Sequence, residues 1–124
     1  MSPTILVIDD SAMVRHQVGR ALAAEGFSVV EATDGVDAID KLARAPGTQL
    51  IVCDVNMPRM SGVEFLEHLA AHGPSLPVVM LTTEGQPELI QRAKALGAKG
   101  WIVKPFKAHL LVAAVKKLTG VAAA

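Results

Sequence analysis

The sequence predicts an α/β fold built on a five-stranded parallel sheet. Strand-like and helix-like segments alternate five times along the chain, which is typical of a parallel sheet covered by helices on both faces. The strand-like segments are short apolar runs that end at a polar residue, as expected for buried strands. Glycine and proline separate many of these segments, where turns are needed.

The first two strand–helix units occupy the N-terminal third of the chain. A strand is expected near residues 4–8, and a helix over roughly 11–25 has its apolar residues at helical spacing. Gly26 ends this helix, because glycine easily adopts the left-handed conformation that follows a helix. A short strand follows near 28–31, and Asp34 is placed to cap the second helix. The predicted inner face of that helix carries Val36, Ile39, Leu42 and Ala43.

The third unit has the clearest helix start. Its strand is expected at about 49–53, and a loop over 56–60 follows. Ser61 and Glu64 have the spacing of a capping box, in which two backbone amides are satisfied reciprocally. The predicted inner face of this helix carries Val63, Leu66, Leu69 and Ala70.

The last two units complete the pattern. Strands are expected at about 78–82 and 100–103. Pro87 is acceptable in the first turn of the helix between them. A final helix near 107–118 is predicted to bury Leu111, Ala114, Val115 and Leu118.

Length and connectivity restrict the architecture further. With 124 residues the chain is expected to be one domain, 1–124, with a core over about 4–118 and a short flexible C-terminal tail. Right-handed crossovers leave few strand orders. We favour a doubly wound, flavodoxin-like (βα)5 domain with strand order 2-1-3-4-5, which places Asp9, Asp10 and Asp54 beside the point where the winding reverses.

Composition excludes several classes of partner. Lys plus Arg and Asp plus Glu both total 12, so no electrostatic footprint for nucleic acid or an anionic membrane is present. The apolar stretches are far shorter than the roughly 20 residues that span a bilayer. The one cysteine, Cys53, is expected to be buried and cannot form an internal disulfide. Together with the lack of a signal-like N-terminus, this makes the cytoplasm the expected location. Four histidines are expected to be surface residues without metal-ligand spacing: His16, His68, His72 and His109.

Polar residues mark the ends of four predicted strands. These residues are Asp9 and Asp10, then Asp54, Thr82 and Lys104. Equivalent ends of parallel strands meet at one edge of the sheet, where open α/β folds bind ligands. Three carboxylates held together repel one another, so a cation is expected among them. Mg²⁺, which prefers oxygen ligands, is the natural candidate.

Four segments at these strand ends carry a resemblance to a known family. They are ILVIDDS at 5–11, CDVNMPRMSG at 53–62, MLTTE at 80–84 and GAKGWIVKPF at 97–106. Together and in this order they resemble the receiver domains of two-component response regulators, especially the stand-alone chemotaxis, CheY-like type. The resemblance covers about 4–118, essentially the whole chain.

The resemblance implies a role for each residue of the site. Asp54 would be the phosphoacceptor, taking a phosphoryl group from a phosphohistidine of a sensor histidine kinase. Asp9, Asp10 and Asp54 would bind Mg²⁺ together with the backbone carbonyl of Asn56. Lys104 would pair with Asp54 at rest and with the phosphoryl oxygens afterwards.

The resemblance also implies a switch. Thr82 would hydrogen-bond the phosphoryl group, and Trp101 stands where the family has its switch aromatic. Asn56 and Glu84 stand at positions that modulate the lifetime of the acyl phosphate. The Lys104–Pro105 bond would be cis, which proline makes accessible.

The implied function is a phosphorylation-activated signalling switch, an enzyme only toward its own phosphorylation and dephosphorylation. The face of helix 4, strand 5 and helix 5 would change shape and bind a target such as a flagellar motor switch or a phosphotransfer protein. A phosphorelay intermediate or the receiver fragment of a larger regulator is the alternative. A monomer or a phosphorylation-dependent dimer is expected, with no nucleic acid and no membrane partner.

Two other function classes fit the chain less well. A haloacid-dehalogenase-like phosphatase with an aspartyl nucleophile would need a second aspartate where this chain has Asn56. A flavodoxin-like electron carrier would need a hydroxyl-rich loop after the first strand and aromatic residues around the flavin. This chain has Asp9–Asp10 in that loop and four aromatic residues in all.

Overall fold

The computed structural model describes residues 3–83 and 87–120 and confirms the alternation of strands and helices. All strand pairs are parallel, and the sheet order is β2-β1-β3-β4-β5, as predicted. The strands are β1 (Thr4–Ile8), β2 (Ser28–Ala32), β3 (Thr48–Asp54), β4 (Val78–Thr82) and β5 (Gly100–Val103). The helices are α1 (Ala12–Ala24), α2 (Gly35–Arg44), α3 (Gly62–His72), α4 (Pro87–Ala95) and α5 (Ala108–Thr119).

Side-chain caps fix where three helices begin. Ser11, Asp34 and Ser61 each accept a hydrogen bond from a backbone N–H three residues further on, which satisfies an amide that has no partner inside the helix. The predicted capping box of Ser61 and Glu64 is present in full. These caps fix the starts of α1 and α2 shortly after β1 and β2, and the start of α3 after the longer loop that follows Asp54.

The sheet separates two apolar layers. On one face, α2, α3 and α4 cover strand residues that include Leu6, Ile8, Ile51, Cys53 and Met80. On the other face, α1 and α5 cover Ile5, Val7, Leu50, Val52, Val79 and Leu81. Because both sides of β1, β3 and β4 are buried, these strands are continuous apolar runs and do not alternate with polar residues. Within the described residues, no helix is long and apolar enough to cross a membrane.

Two of the predicted helix faces were partly wrong. Val36 is 41% exposed, because the buried stripe of α2 runs through Gly35 and Ala38. In α3, Ala70 is exposed, whereas Phe65 is fully buried and was not predicted to be. Ala43, which was also predicted on the inner face of α2, is exposed, whereas Val63, Leu66 and Leu69 of α3 are buried as predicted.

Strand β5 differs from the other apolar runs. It lies at the edge of the sheet beside β4, and its side chains alternate between half-buried and exposed. Trp101 and Val103 are the exposed ones. The expectation of a fully buried strand before Lys104 was therefore wrong.

Candidate functional site

The register of the sheet brings two aspartates side by side. Ile8 pairs with Cys53, so the next residues, Asp9 and Asp54, leave adjacent strands at the same level. Asp9 is fully buried and Asp54 is 6% exposed, while Asp10 is exposed. One carboxylate oxygen from each of these three aspartates lies within 4.8 Å of the others. The predicted convergence of acidic groups at this sheet edge is confirmed.

Lys104 supplies the positive charge of this cluster. Its Nζ lies 2.8 Å from Oδ2 of Asp9 and 3.2 Å from Oδ1 of Asp54. It thus forms the pair with Asp54 that the resemblance implied and contacts Asp9 as well. Its backbone N–H donates to the Thr82 carbonyl at 2.6 Å, and the Lys104–Pro105 peptide bond is cis as predicted. Adjacent strands therefore fix the place of Lys104.

The surroundings of Asp54 make its ionised form less favourable than that of a free aspartate. Burial and the charge of Asp9 raise the pKa of Asp54, and Lys104 offsets this only in part. Burial lowers the pKa of Lys104, but its hydrogen bond to Asp9 and the charges of both carboxylates outweigh burial and raise that pKa. Lys104 therefore stays protonated. One ammonium among three carboxylates leaves the cluster short of positive charge, which favours binding of a further cation.

The donor set fits Mg²⁺. Three carboxylates supply only oxygen atoms, and oxygen ligands are those a hard divalent ion prefers. The neighbouring sulfur does not take part, because burial, with the charges of Asp54 and Asp9, raises the pKa of the Cys53 thiol. That thiol donates to the Asp54 carbonyl at 3.3 Å. Asn56, whose backbone carbonyl is the predicted fourth ligand, is exposed in the loop after Asp54.

Thr82 has an unused hydroxyl at this edge. The residue is 1% exposed, yet its Oγ1 has no hydrogen-bond partner among the described residues. A buried hydroxyl without a partner costs free energy, so it is a site where a newly arrived acceptor would be stabilised. The residue at the end of β4 is thus available for the role that the resemblance implied.

Trp101 lies on the same face of the sheet as Thr82. Thr82 pairs with Val103 and Met80 pairs with Trp101, so Thr82 and Trp101 are diagonal neighbours on two adjacent strands. The Trp101 ring is 38% exposed, and Nζ of Lys94 lies 5.5 Å from the ring centroid. The predicted switch pair is therefore adjacent, with the aromatic ring turned outward.

A contact that the sequence did not predict holds the loop after Asp54. Arg59 has a left-handed backbone, with φ 62°, and its guanidinium donates to both carboxylate oxygens of Asp34, at 2.7 and 3.0 Å. Further along, the Gly62 N–H donates to the Val55 carbonyl at 2.9 Å, and a side chain at Gly62 would overlap the Asp54 carbonyl oxygen. The backbone that carries Asp54 is thus fixed from two sides.

Two sequence predictions for this site concern the loops. Asn56 lies in the loop that Arg59 holds, and it has polar contacts of its own. Glu84 lies outside the described residues. The expected role of Asn56 and Glu84 in the lifetime of an acyl phosphate therefore stays a prediction.

Comparison with known proteins identifies the family. The response regulator receiver domain family matches residues 5–116. The chain belongs to this family. It is the receiver domain of a two-component response regulator, which sets aside the phosphatase and electron-carrier alternatives. Its fold is also found in Vibrio cholerae chemotaxis protein CheY4, with a TM-score of 0.86 and 38% identity over 95% of this chain and 99% of that one.

Curated relatives of this receiver domain differ in length. "Chemotaxis protein CheY" of Treponema pallidum (strain Nichols) is 42% identical over 103 residues, which are 82% of this chain and 72% of the relative. "Transcriptional regulatory protein PdtaR" of Mycobacterium tuberculosis is 34% identical over 113 residues, 90% of this chain and 54% of that protein. The receiver domain therefore spans about half the length of the second relative.

Proposed function

We propose that this receiver domain is a switch that is activated when Asp54 accepts a phosphoryl group from a phosphohistidine of a sensor histidine kinase. One observation carries the proposal. Lys104 bridges Asp9 and Asp54 at the sheet edge, and the hydroxyl of Thr82 at the same edge has no partner among the described residues. A nucleophile, a fixed cation and a spare hydrogen-bond donor are the parts that phosphoryl transfer needs.

The chemistry is nucleophilic attack by a carboxylate. An Oδ of Asp54 forms a bond to phosphorus while the phosphorus–nitrogen bond of the phosphohistidine breaks and its electron pair returns to the imidazole. The product is an acyl phosphate, which water later hydrolyses. Lys104 offsets negative charge on the transferred oxygens. Asp9, Asp10 and Asp54, with the Asn56 carbonyl, would hold Mg²⁺, which supplies further charge neutralisation when bound.

The switch follows from the contacts of Thr82. Its Oγ1 gains a hydrogen bond when a phosphoryl oxygen arrives, and the side chain then moves toward Asp54. Trp101, its diagonal neighbour, moves into the vacated space and changes the face formed by α4, β5 and α5. A partner that prefers the new face by a few kcal/mol is enough to make the shift useful.

The pathway that we favour is chemotaxis or motility, with a flagellar motor switch or a phosphotransfer protein as the target. The identity to a protein named for chemotaxis supports this choice. The match to a longer transcriptional regulator supports the alternative, in which the domain is a phosphorelay intermediate or the receiver of a larger protein. In either case the domain catalyses only its own phosphorylation and dephosphorylation.

The first experiment measures the intact mass of the protein after incubation with acetyl phosphate and Mg²⁺. One phosphoryl adduct is expected. Asp54→Asn and an EDTA control should give none, while Asp40→Asn, which changes an exposed carboxylate on α2, should label like the wild type. Equal labelling of Asp54→Asn would move the nucleophile elsewhere and contradict the proposal.

A short-lived adduct calls for a second measurement on the same sample. Beryllofluoride with Mg²⁺ mimics the phosphoryl group, and the emission of Trp101 should then shift. If neither an adduct nor a Mg²⁺-dependent change in emission is found, the domain works without phosphorylation.

A further inference from the structure

Two histidines form a pair at the far end of α3. His68 and His72 are four residues apart, and that spacing places side chains on one face of a helix. Their ring centroids lie 5.2 Å apart, with the ring planes inclined at 50°. The expectation that the histidines lack metal-ligand spacing is therefore wrong for these two.

The separation of the two rings suits a shared metal ion. An imidazole nitrogen binds Zn²⁺ at about 2.0–2.1 Å, and two such ligands at a tetrahedral angle have ring centres about 5 Å apart. The observed separation is of that size. Two side chains that are already close lose less conformational freedom when they bind one ion.

The pair is open to solvent and remote from the acidic cluster. Both rings line an open groove of about 440 Å³ between α2 and α3, whose other walls are mostly apolar. The helix begins at Gly62 beside Asp54 and ends at His72, and its 11 residues span about 16 Å. An ion at the histidine pair would thus lie in the last part of α3, at the opposite end of the helix from Asp54.

The two sites differ in the ions they prefer. The acidic cluster offers oxygen atoms, which suit Mg²⁺, whereas imidazole nitrogen suits Zn²⁺, Cu²⁺ and Ni²⁺. Within the described residues, three or more side chains that could bind one metal ion come together only in the acidic cluster. The histidine pair therefore supplies two ligands and leaves the other positions to water or to an incoming ligand.

We propose that His68 and His72 bind one divalent transition-metal ion, each through a ring nitrogen, at the mouth of the α2–α3 groove. The proposal is independent of phosphorylation at Asp54. It gives the receiver domain a second cation site with open coordination positions.

Zinc titration by calorimetry tests the proposal, with excess Mg²⁺ present to occupy the acidic cluster. One ion should bind to the wild type. His68→Gln and His72→Gln should each weaken binding on the order of 100-fold, because the second ligand of a fixed pair binds intramolecularly. His16→Gln and His109→Gln are the matched controls and should bind as the wild type does.

Electron paramagnetic resonance of bound Cu²⁺ detects the nitrogen ligands directly. A purely structural role of the two histidines would not affect this signal. Cu²⁺ bound to the wild type should show hyperfine coupling to two nitrogen nuclei, and the single variants should show one or none. The proposal is overturned if the His68→Gln and His72→Gln variants keep wild-type affinity. It is also overturned if Asp9→Asn, and not the histidine changes, abolishes the zinc site.

Discussion

Arg59 donates two hydrogen bonds to the buried carboxylate of Asp34 and so joins the loop after β3 to the start of α2. Asp34 has a second task, since it accepts from the Asp37 N–H at 2.9 Å as the cap of α2. Bidentate, charge-assisted pairs are among the stronger hydrogen bonds. This pair ties the segment that carries Asn56 to a helix on one face of the sheet.

The Arg59–Asp34 pair should make stability depend on pH. Burial raises the pKa of Asp34, but Arg59 and the N–H groups of Asp37 and Val36 outweigh burial and lower it. A carboxyl whose pKa is lowered by folding stabilises the fold above its unfolded pKa, and this is lost as the pH falls through the folded value. Arg59→Ala should thus be less stable than the wild type at pH 7, with a gap that narrows below about pH 4.

Urea unfolding between pH 3 and pH 7 measures this gap. Arg44→Ala is the control, because Arg44 forms an exposed pair with Asp40 one turn away on α2, and such pairs contribute little. Asp34→Ala should lose about 1 kcal/mol from the missing cap alone. A gap between wild type and Arg59→Ala that stays constant down to pH 3 would contradict the assignment.

The hydroxyl of Thr82 should lower the folding stability of the domain and speed phosphoryl transfer. Thr82→Val replaces an unpaired buried hydroxyl with a methyl group, so we expect a gain of up to about 1 kcal/mol and slower phosphoryl transfer. Thr48 is the matched control, because its buried hydroxyl donates to the Ala45 carbonyl at 2.7 Å. Thr48→Val should lose about 1 kcal/mol and label normally. Denaturant midpoints and labelling rates of both variants decide the matter, and a loss of stability in Thr82→Val would refute the expectation.

Asp54 should destabilise the metal-free fold. Its pKa is raised, chiefly by burial and by Asp9, so its ionisation costs stability as the pH rises from the unfolded value through the folded one. Asp54→Asn removes this cost. In EDTA at pH 7 the variant should unfold at a higher temperature than the wild type, and the difference should vanish below about pH 4.

Magnesium should reverse part of that difference. A ligand that binds the folded state alone stabilises it, so millimolar Mg²⁺ should raise the melting temperature of the wild type more than that of Asp54→Asn. Calorimetric scans with EDTA and with Mg²⁺ give the comparison. A variant that melts below the wild type in EDTA would show that Asp54 is held by contacts stronger than its repulsion from Asp9.

Lys94 should hold the ring of Trp101 outward. A cation–π contact at an exposed site is worth about 0.5–1 kcal/mol, and Nζ of Lys94 lies 5.5 Å from the ring centroid. Lys94→Met should therefore increase the inward population of Trp101. Its emission should shift to shorter wavelength and acrylamide should quench it less. Lys99→Met serves as the control. An equal emission shift in Lys99→Met would show that the effect does not come from the contact between Lys94 and Trp101.

The sequence predicted the parts of the site that depend only on which residue ends each strand. The polar residues at the ends of β1, β3 and β4 stop apolar runs, and parallel pairing then brings Asp9 and Asp54 together with no further information. Family resemblance added the roles of Lys104 and Trp101. The handedness of the crossovers left few strand orders, and the flavodoxin-like order favoured among them is the one observed.

The remaining features depend on tertiary contacts that no local pattern specifies. The GWIV run resembles the buried strands in composition, and only its edge position exposes Trp101 and Val103. Asp34 was predicted as a cap, but its pairing with Arg59 needs two loops to meet in space. Lys104 contacts Asp9 as well as Asp54 because both carboxylates lie within reach of one ammonium.

The reactivity of Cys53 measures how often the centre of this domain opens. It is the single cysteine of the chain and lies fully buried in the middle of the sheet, one residue before Asp54. Burial also keeps the thiol protonated by raising its pKa, and thiolate is the form that reacts. The rate at which a thiol reagent labels Cys53 therefore reports how often the central strands separate. Binding of Mg²⁺ or a phosphoryl group beside Asp54 should therefore change the labelling rate of Cys53. The measurement needs no other label on the protein.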